Sequence, residues 1–249
     1  MSVNEFNHKP AVEIVGKTVE HVDEGLRQYM IKVFNYMGLG LLVTAAAAYI
    51  AANTAFITWL FNIDTTTRTV SMSGFGYLIT FAPLLMIFAF SAVINRGSVA
   101  ATQTMFWAFS AVMGLSLATV AITYTASSIA RVFLITSATF GAMSLYGYST
   151  KRDLTGIGSF LYMGVWGLVI ASIVNIFMQS SGLMYAISYI AVAVFTGLTA
   201  YDVQNIKNLY YHGNSAESSA KLAVSGALSL YLDFINLFMS LLTIMGDRR

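Results

Sequence analysis

Asp233 stands near the middle of the last long apolar stretch, Leu222 to Met245. An ionised carboxylate at the centre of a membrane helix costs about 2.5–3.5 kcal/mol on insertion scales, so such a residue faces a polar interior and carries a task. Gly226, Ser229, Asp233, Asn236, Ser240 and Thr243 follow at alternating steps of three and four, which places them on one helical face. That face avoids lipid, with Ser229, Asn236 and Ser240 as the polar support of the carboxylate. The opposite face, with Leu222, Leu230, Phe234, Ile235, Phe238, Leu241 and Leu242, suits lipid tails or neighbouring helices. Asp202, in Ala200-Tyr201-Asp202, closes the preceding apolar stretch. Two carboxylates that meet in a bundle interior cannot easily both stay ionised, so they share one proton and titrate in two macroscopic steps. When both protons leave, the same oxygens suit a hard cation. A proton-controlled cation path is one reading. The other leaves Asp202 as a solvated helix end and Asp233 bonded to neighbouring hydroxyls. Arg96, at the end of the second apolar stretch, is the candidate counter-charge and equally fits an interfacial anchor.

The elements that hold these residues must cross a membrane. Of 249 residues, 57% are hydrophobic and 10% charged, against roughly 25% charged in a soluble domain; the mean hydropathy is +0.70. The charges form short islands, separated by runs of about 20 residues, the length that crosses a hydrocarbon core of about 30 Å. These runs are continuously apolar, whereas an outer-membrane barrel alternates over segments of roughly 10 residues. The expectation is an all-α integral membrane protein of about seven transmembrane helices: Val33 to Ala52, Gly74 to Ile94, Val99 to Thr123, Val132 to Tyr148, Gly158 to Phe177, Leu183 to Tyr201 and Leu222 to Met245. Residues 1–30 read as a polar N-terminal segment and residues 31–249 as one membrane domain. Pro83 should bend the second span. Gly164, Gly167, Ala171 and Asn175 form a small-residue stripe on the fifth that would let a helix approach.

Lys9, Lys17, Arg27 and Lys32 precede the first span, and Arg96, Lys151 with Arg152, and Lys207 with Lys221 fall in alternate loops, which should be cytoplasmic. The N-terminus is then inside and the C-terminus outside. The terminal Arg248 and Arg249 would prefer the cytoplasm, which a re-entrant final segment would satisfy.

Several chemistries find no support. Zero cysteines exclude disulfides, thiolate metal sites and a cysteine nucleophile. His8, His21 and His212 lie far apart in polar segments, so neither a haem pair nor a HExxH zinc site exists. There is no GxSxG elbow or Walker motif, and Gly156-Ile157-Gly158 does not continue as GxGxxG. A net charge of +2 without a continuous basic patch does not suggest nucleic acid. Trp59, Trp107 and Trp166 fit interfaces or core packing.

The two aspartate segments are long and specific: Phe195-Thr196-Gly197-Leu198-Thr199-Ala200-Tyr201-Asp202-Val203-Gln204-Asn205-Ile206-Lys207 and Gly226-Ala227-Leu228-Ser229-Leu230-Tyr231-Leu232-Asp233-Phe234-Ile235-Asn236-Leu237-Phe238. With Gly158-Ser159-Phe160-Leu161-Tyr162-Met163-Gly164 and Gly25-Leu26-Arg27-Gln28-Tyr29-Met30, they resemble the Bax inhibitor-1 family, also called the transmembrane Bax-inhibitor-motif family, and its bacterial YccA-like branch, over nearly the whole chain. The resemblance implies a seven-helix bundle with the C-terminal helix central, and a pH-sensitive calcium leak. It implies that Asp202 and Asp233 form the proton sensor and that Arg96 corresponds by position to a latching arginine of the second helix. An acidic residue of that helix, found in a calcium-conducting relative, is replaced here, with Leu85 near the expected position. The family also includes members that restrain a membrane-bound protease.

The leading expectation is a pH-sensitive cation leak, with Ca2+ as the ion, in a bacterial inner membrane, serving a cytoprotective or stress role without an enzymatic step or resident cofactor. Its partners would be the lipid bilayer, Ca2+ and protons. The alternative is a membrane interaction protein that modulates a membrane-bound protease. A third reading, an intramembrane aspartyl protease, rests on the dyad alone. Those enzymes resemble a GxGD pattern at the second aspartate, where this chain has Tyr231-Leu232-Asp233.

Overall fold

A computed structural model describes residues 11–64, 69–211 and 215–249 of the chain. His8, Lys9, Arg68 and His212, and the first third of the expected polar segment, lie outside the described residues. Helix α1 (Ala11–Asn53) is followed by the short α2 (Phe56–Leu60) and by strands β1 (Phe61–Asp64) and β2 (Thr69–Met72). Then come α3 (Gly74–Arg96), α4 (Val99–Ser116), α5 (Ala118–Thr123), α6 (Ala126–Ser149), α7 (Thr155–Met178), α8 (Ser181–Tyr210) and α9 (Ala216–Met245). Among the described residues, seven spans are long and apolar enough to cross a membrane, with α4 and α5 together making the third.

The helices start where the sequence supplies a hydroxyl cap. Ser73, Ser98, Thr125, Ser180 and Ser215 accept from the backbone N–H of Gly76, Ala101, Ser128, Leu183 and Ser218. Each satisfies a donor that the first turn leaves without an intrahelical partner. At α6, α8 and α9 the cap accounts for a start earlier than hydropathy alone suggests. Ala216 is reached six residues before Leu222, and α1 runs unbroken through residues 30 and 31. At 30 residues each, α8 and α9 extend about 45 Å, so their facing ends project beyond a core of about 30 Å. Pro83 is buried inside α3, which continues on both sides of it.

The chain is an all-α membrane protein as expected, with one short hairpin beside the helices. Phe61 pairs with Met72 and Asp64 with Thr69 in an antiparallel register. Four-residue strands carry too little pattern to stand out beside spans, although Phe61-Asn62-Ile63-Asp64 does alternate.

Half of the most apolar stretch of α9 (50%) is buried within the protein, against 11% for α3 and for α7. The C-terminal helix is therefore the core of the bundle. Leu230, Phe234, Ile235, Phe238 and Leu242, expected on a lipid-facing or packing face, are buried among Phe106, Phe109, Val132 and Phe140 of α4 and α6. Several close crossings use glycine. A Cβ on Gly147 of α6 would meet the backbone of Ala200 on α8, and a Cβ on Gly158 of α7 would meet the ring of Tyr201. The predicted stripe on α7 is used only in part, since Gly164 faces Val194 while Gly167 faces open space.

The two ends of the bundle are pinned differently. At one end Tyr29 of α1 packs on Tyr210 of α8 with centroids 5.3 Å apart, and Lys207 donates to the carbonyl of Tyr148 at 3.0 Å. At the other, Asp247 accepts from the hydroxyl of Ser128 at 2.9 Å, Arg249 N donates to Thr123 O at 2.9 Å, and Arg248 lies 5.9 Å from the Tyr124 ring centre. The final segment is therefore not re-entrant. α9 runs the full length of the bundle, and the terminal arginines are fastened to the α5–α6 connection, opposite the end that carries Lys151, Arg152 and Lys207.

Candidate carboxylate site between the last two helices

Asp202 and Asp233 are each only 5% exposed. They project from α8 and α9, which pack against each other more extensively than any other pair of elements. Gly226 is seated against Ile206, and this close approach brings the two carboxyl groups within hydrogen-bonding reach of each other. Gly158 performs the same service on the far side of α8. It admits the Tyr201 ring, Tyr162 stacks edge-on against that ring at 5.9 Å, and the Tyr162 hydroxyl donates to Asp202 Oδ1 at 3.1 Å. Oδ2 of Asp233 is buried and, among the described residues, accepts no hydrogen bond. A bare carboxylate oxygen in that position is costly. One proton between the two carboxyls removes the deficit, because it turns one of the two facing oxygens into a donor.

The expected supporting face does not converge on the carboxylate. Asn236, Ser240 and Thr243 donate to the carbonyls of Leu232, Asn236 and Met239 at 2.8, 2.7 and 2.9 Å, and Ser229 is partly buried. In a continuous helix the carbonyl four residues back is nearer to these short side chains than a carboxylate a full turn away. The polar stripe thus satisfies itself, and the partner of the pair comes from α7.

Three residues that matter here were missed as site residues. Tyr162 lies within Gly158-Ser159-Phe160-Leu161-Tyr162-Met163-Gly164, yet a tyrosine on an apolar helix gives no sign of where its hydroxyl points. Gln204 accepts from Leu154 N at 2.9 Å and donates to Arg152 O at 2.7 Å, tying the connection between α6 and α7 to the turn of α8 that follows Asp202. In that connection Asp153 accepts from Thr155, whose hydrogen bonds hold its carboxyl below the usual carboxylate range. Tyr231, two residues from Asp233, shares a 2.6 Å hydrogen bond with Thr44 of α1, which in turn donates to a carbonyl, Ser110 O lying at 2.8 Å and Gly40 O at 2.9 Å.

Residues 26–249 match the family described as inhibitor of apoptosis-promoting Bax1. The chain belongs to this Bax inhibitor family. It is 46% identical over 227 residues to the inner membrane protein YbhL of Escherichia coli, covering 90% of this chain and 94% of that protein. A protein of Rickettsia prowazekii is 48% identical over 227 residues, covering 91% of this chain and 92% of its own length. A Caulobacter vibrioides protein is 39% identical over 249 residues, covering 99% and 100%.

Within this Bax inhibitor bundle, the structure brings Asp202 and Asp233 together and leaves Arg96 apart. Arg96 is exposed at the C-terminal end of α3, and among the described residues no ion pair joins it to either aspartate. Helix α3 is peripheral, so a side chain at its end meets the surface before it meets the α8–α9 seam. Leu85 is 63% exposed, on the outward side of α3. As a cation site, the pair supplies few oxygens. Among the described residues no group of three or more Asp, Glu, His or Cys side chains clusters, whereas Ca2+ takes about six to eight oxygen ligands.

Proposed function

We propose that this Bax inhibitor family protein is a pH-sensitive cation leak of a bacterial inner membrane, with Ca2+ as the ion and with Asp202 and Asp233 as its proton sensor. The observation that carries this is the pair itself: two buried carboxyls on the two most intimately packed helices, with Asp233 Oδ2 accepting no hydrogen bond among the described residues. With one proton shared, the pair holds α8 and α9 together. When that proton leaves, two like charges face each other in a medium of low dielectric, and the repulsion favours separation of the helices or entry of a hydrated cation. Tyr162 holds Asp202 on the α7 side, so movement falls to α9. Arg96 would act as a counter-charge only in a different arrangement of α3. The name of the Escherichia coli relative, an inner membrane protein, supports the inner-membrane location, and the N-terminus would be cytoplasmic by the distribution of basic loops.

The role is non-enzymatic and needs no resident cofactor, in keeping with a stress-protective leak whose partners are the bilayer, protons and Ca2+. The test is Ca2+ entry into liposomes that contain the purified protein, compared with protein-free liposomes across a pH series. Entry that depends on pH supports the leak. Absence of entry at every pH contradicts it and favours the alternative, an interaction protein acting on a membrane-bound protease, which would then be sought as a co-purifying partner.

A further inference from the structure

An open groove of about 360 Å³ runs along the outer side of α1, lined by Gln28, Ile31, Lys32, Asn35, Tyr36 and Leu39. None of these residues belongs to the carboxylate site. Gln28 and Leu39 are separated by about 16 Å at 1.5 Å per residue, and the groove changes character along that length. Its outer half is polar, with Gln28, Lys32 and Asn35, and its inner half is apolar, continuing from Leu39 to Leu42, which is 66% exposed. Lys32 and Asn35 are exposed, and among the described residues neither hydrogen-bonds another side chain. Lysine can extend toward water on its flexible stem. Asparagine one turn deeper has no such reach, and a polar group on the lipid side of a spanning helix needs a partner.

We infer that this groove holds an anionic phospholipid, its phosphate against Lys32, its glycerol and ester region beside Asn35 and Tyr36, and an acyl chain along Leu39 and Leu42. The phenol is prepared for this. Tyr36 Oη accepts from Gln103 Nε2 of α4 at 2.6 Å, which leaves its own O–H free to donate. The carboxylate of Glu24 beside the groove is already engaged, since it accepts from Gln28 at 3.2 Å and pairs with Arg27 at 3.2 Å. Among the described side chains, the same end of the bundle carries Arg27, Lys151, Arg152, Lys207 and Lys221 against Glu24, Asp153 and Glu217, a basic surplus that draws anionic rather than zwitterionic headgroups.

The test is native mass spectrometry of the full chain in neutral detergent, titrated with phosphatidylglycerol, phosphatidylethanolamine and glycerol 3-phosphate. Phosphatidylglycerol should be retained over the other two. Lys32→Gln should weaken its retention about fivefold, the effect of one basic residue near an anionic headgroup, and leave phosphatidylethanolamine unchanged. Asn35→Leu should weaken both lipids, and Arg131→Gln, paired with Asp247 at the opposite end of the bundle, neither. Unchanged retention in Lys32→Gln of native thermal stability would overturn the site. So would equal retention of glycerol 3-phosphate, which would make it a site for free phosphate, or lipid-independent cross-linking of two copies through Asn35→Cys, which would make it a protein interface.

Discussion

The hydroxyl of Tyr162 on α7 donates to Oδ1 of Asp202 on α8 at 3.1 Å, so a peripheral helix steadies one member of the central carboxylate pair. A donor of this kind favours the ionised form of the carboxylate that receives it. Tyr162→Phe removes the donor and leaves the ring that packs on Tyr201. The pair should then keep its shared proton to higher pH, and the midpoint of pH-dependent Ca2+ flux should move upward by about one pH unit. An unmoved midpoint would mean that the bond is structural only.

Gly147 and Gly141 lie on the same helix and make opposite predictions. A Cβ at Gly147 meets the backbone of Ala200, whereas one at Gly141 meets nothing within 4 Å. Gly147→Ala should destabilise the protein by about 1–3 kcal/mol, the usual cost of overpacking, and Gly141→Ala should be neutral or slightly stabilising. Thermal unfolding in detergent of the two variants side by side checks this.

How far the sequence was legible depended on scale. The spans could be read because apolar runs of membrane length leave a strong signal, and Asp202 and Asp233 stood out because carboxylates are rare there. The centrality of α9 followed from family resemblance and is borne out by its burial. Relations between helices were less accessible. Asn236 and Ser240 share a face with Asp233, yet each spends its donor on its own helix, which periodicity cannot distinguish from support of the carboxylate. Arg96 had the right charge and position in the chain, but the packing of α3 decides its reach. Tyr162 and Gln204 act across helix boundaries, which no spacing within one helix reveals.

Tyr231 and Thr44 join α9 to α1 through a buried 2.6 Å hydrogen bond, with Phe106 and Phe109 edge-on to the tyrosine ring at 6.2 and 5.8 Å. Tyr231→Phe keeps the ring and removes the hydroxyl. Stability should fall by about 1 kcal/mol, typical of one interhelical hydrogen bond in a membrane protein. Tyr231→Ala should cost about 3–5 kcal/mol through the cavity it leaves. Equilibrium unfolding in mixed micelles reads both.

Gln204 bonds both Leu154 N and Arg152 O, clamping the connection that contains Lys151 and Arg152. Gln204→Ala should loosen that connection and raise the rate of tryptic cleavage after Lys151 and Arg152, with the bundle still folded by circular dichroism. An unchanged cleavage rate would show that Lys207 on Tyr148 suffices.

The most direct test of a proton-gated leak is Ca2+ flux into liposomes across a pH series for the native chain, Asp202→Asn and Asp233→Asn, with equal incorporation checked for each. The native protein should show flux that rises with pH, and both variants should lose that dependence, because neither can share and release the proton between the helices. Flux that keeps its native pH profile in either variant would contradict the assignment of the pair as sensor.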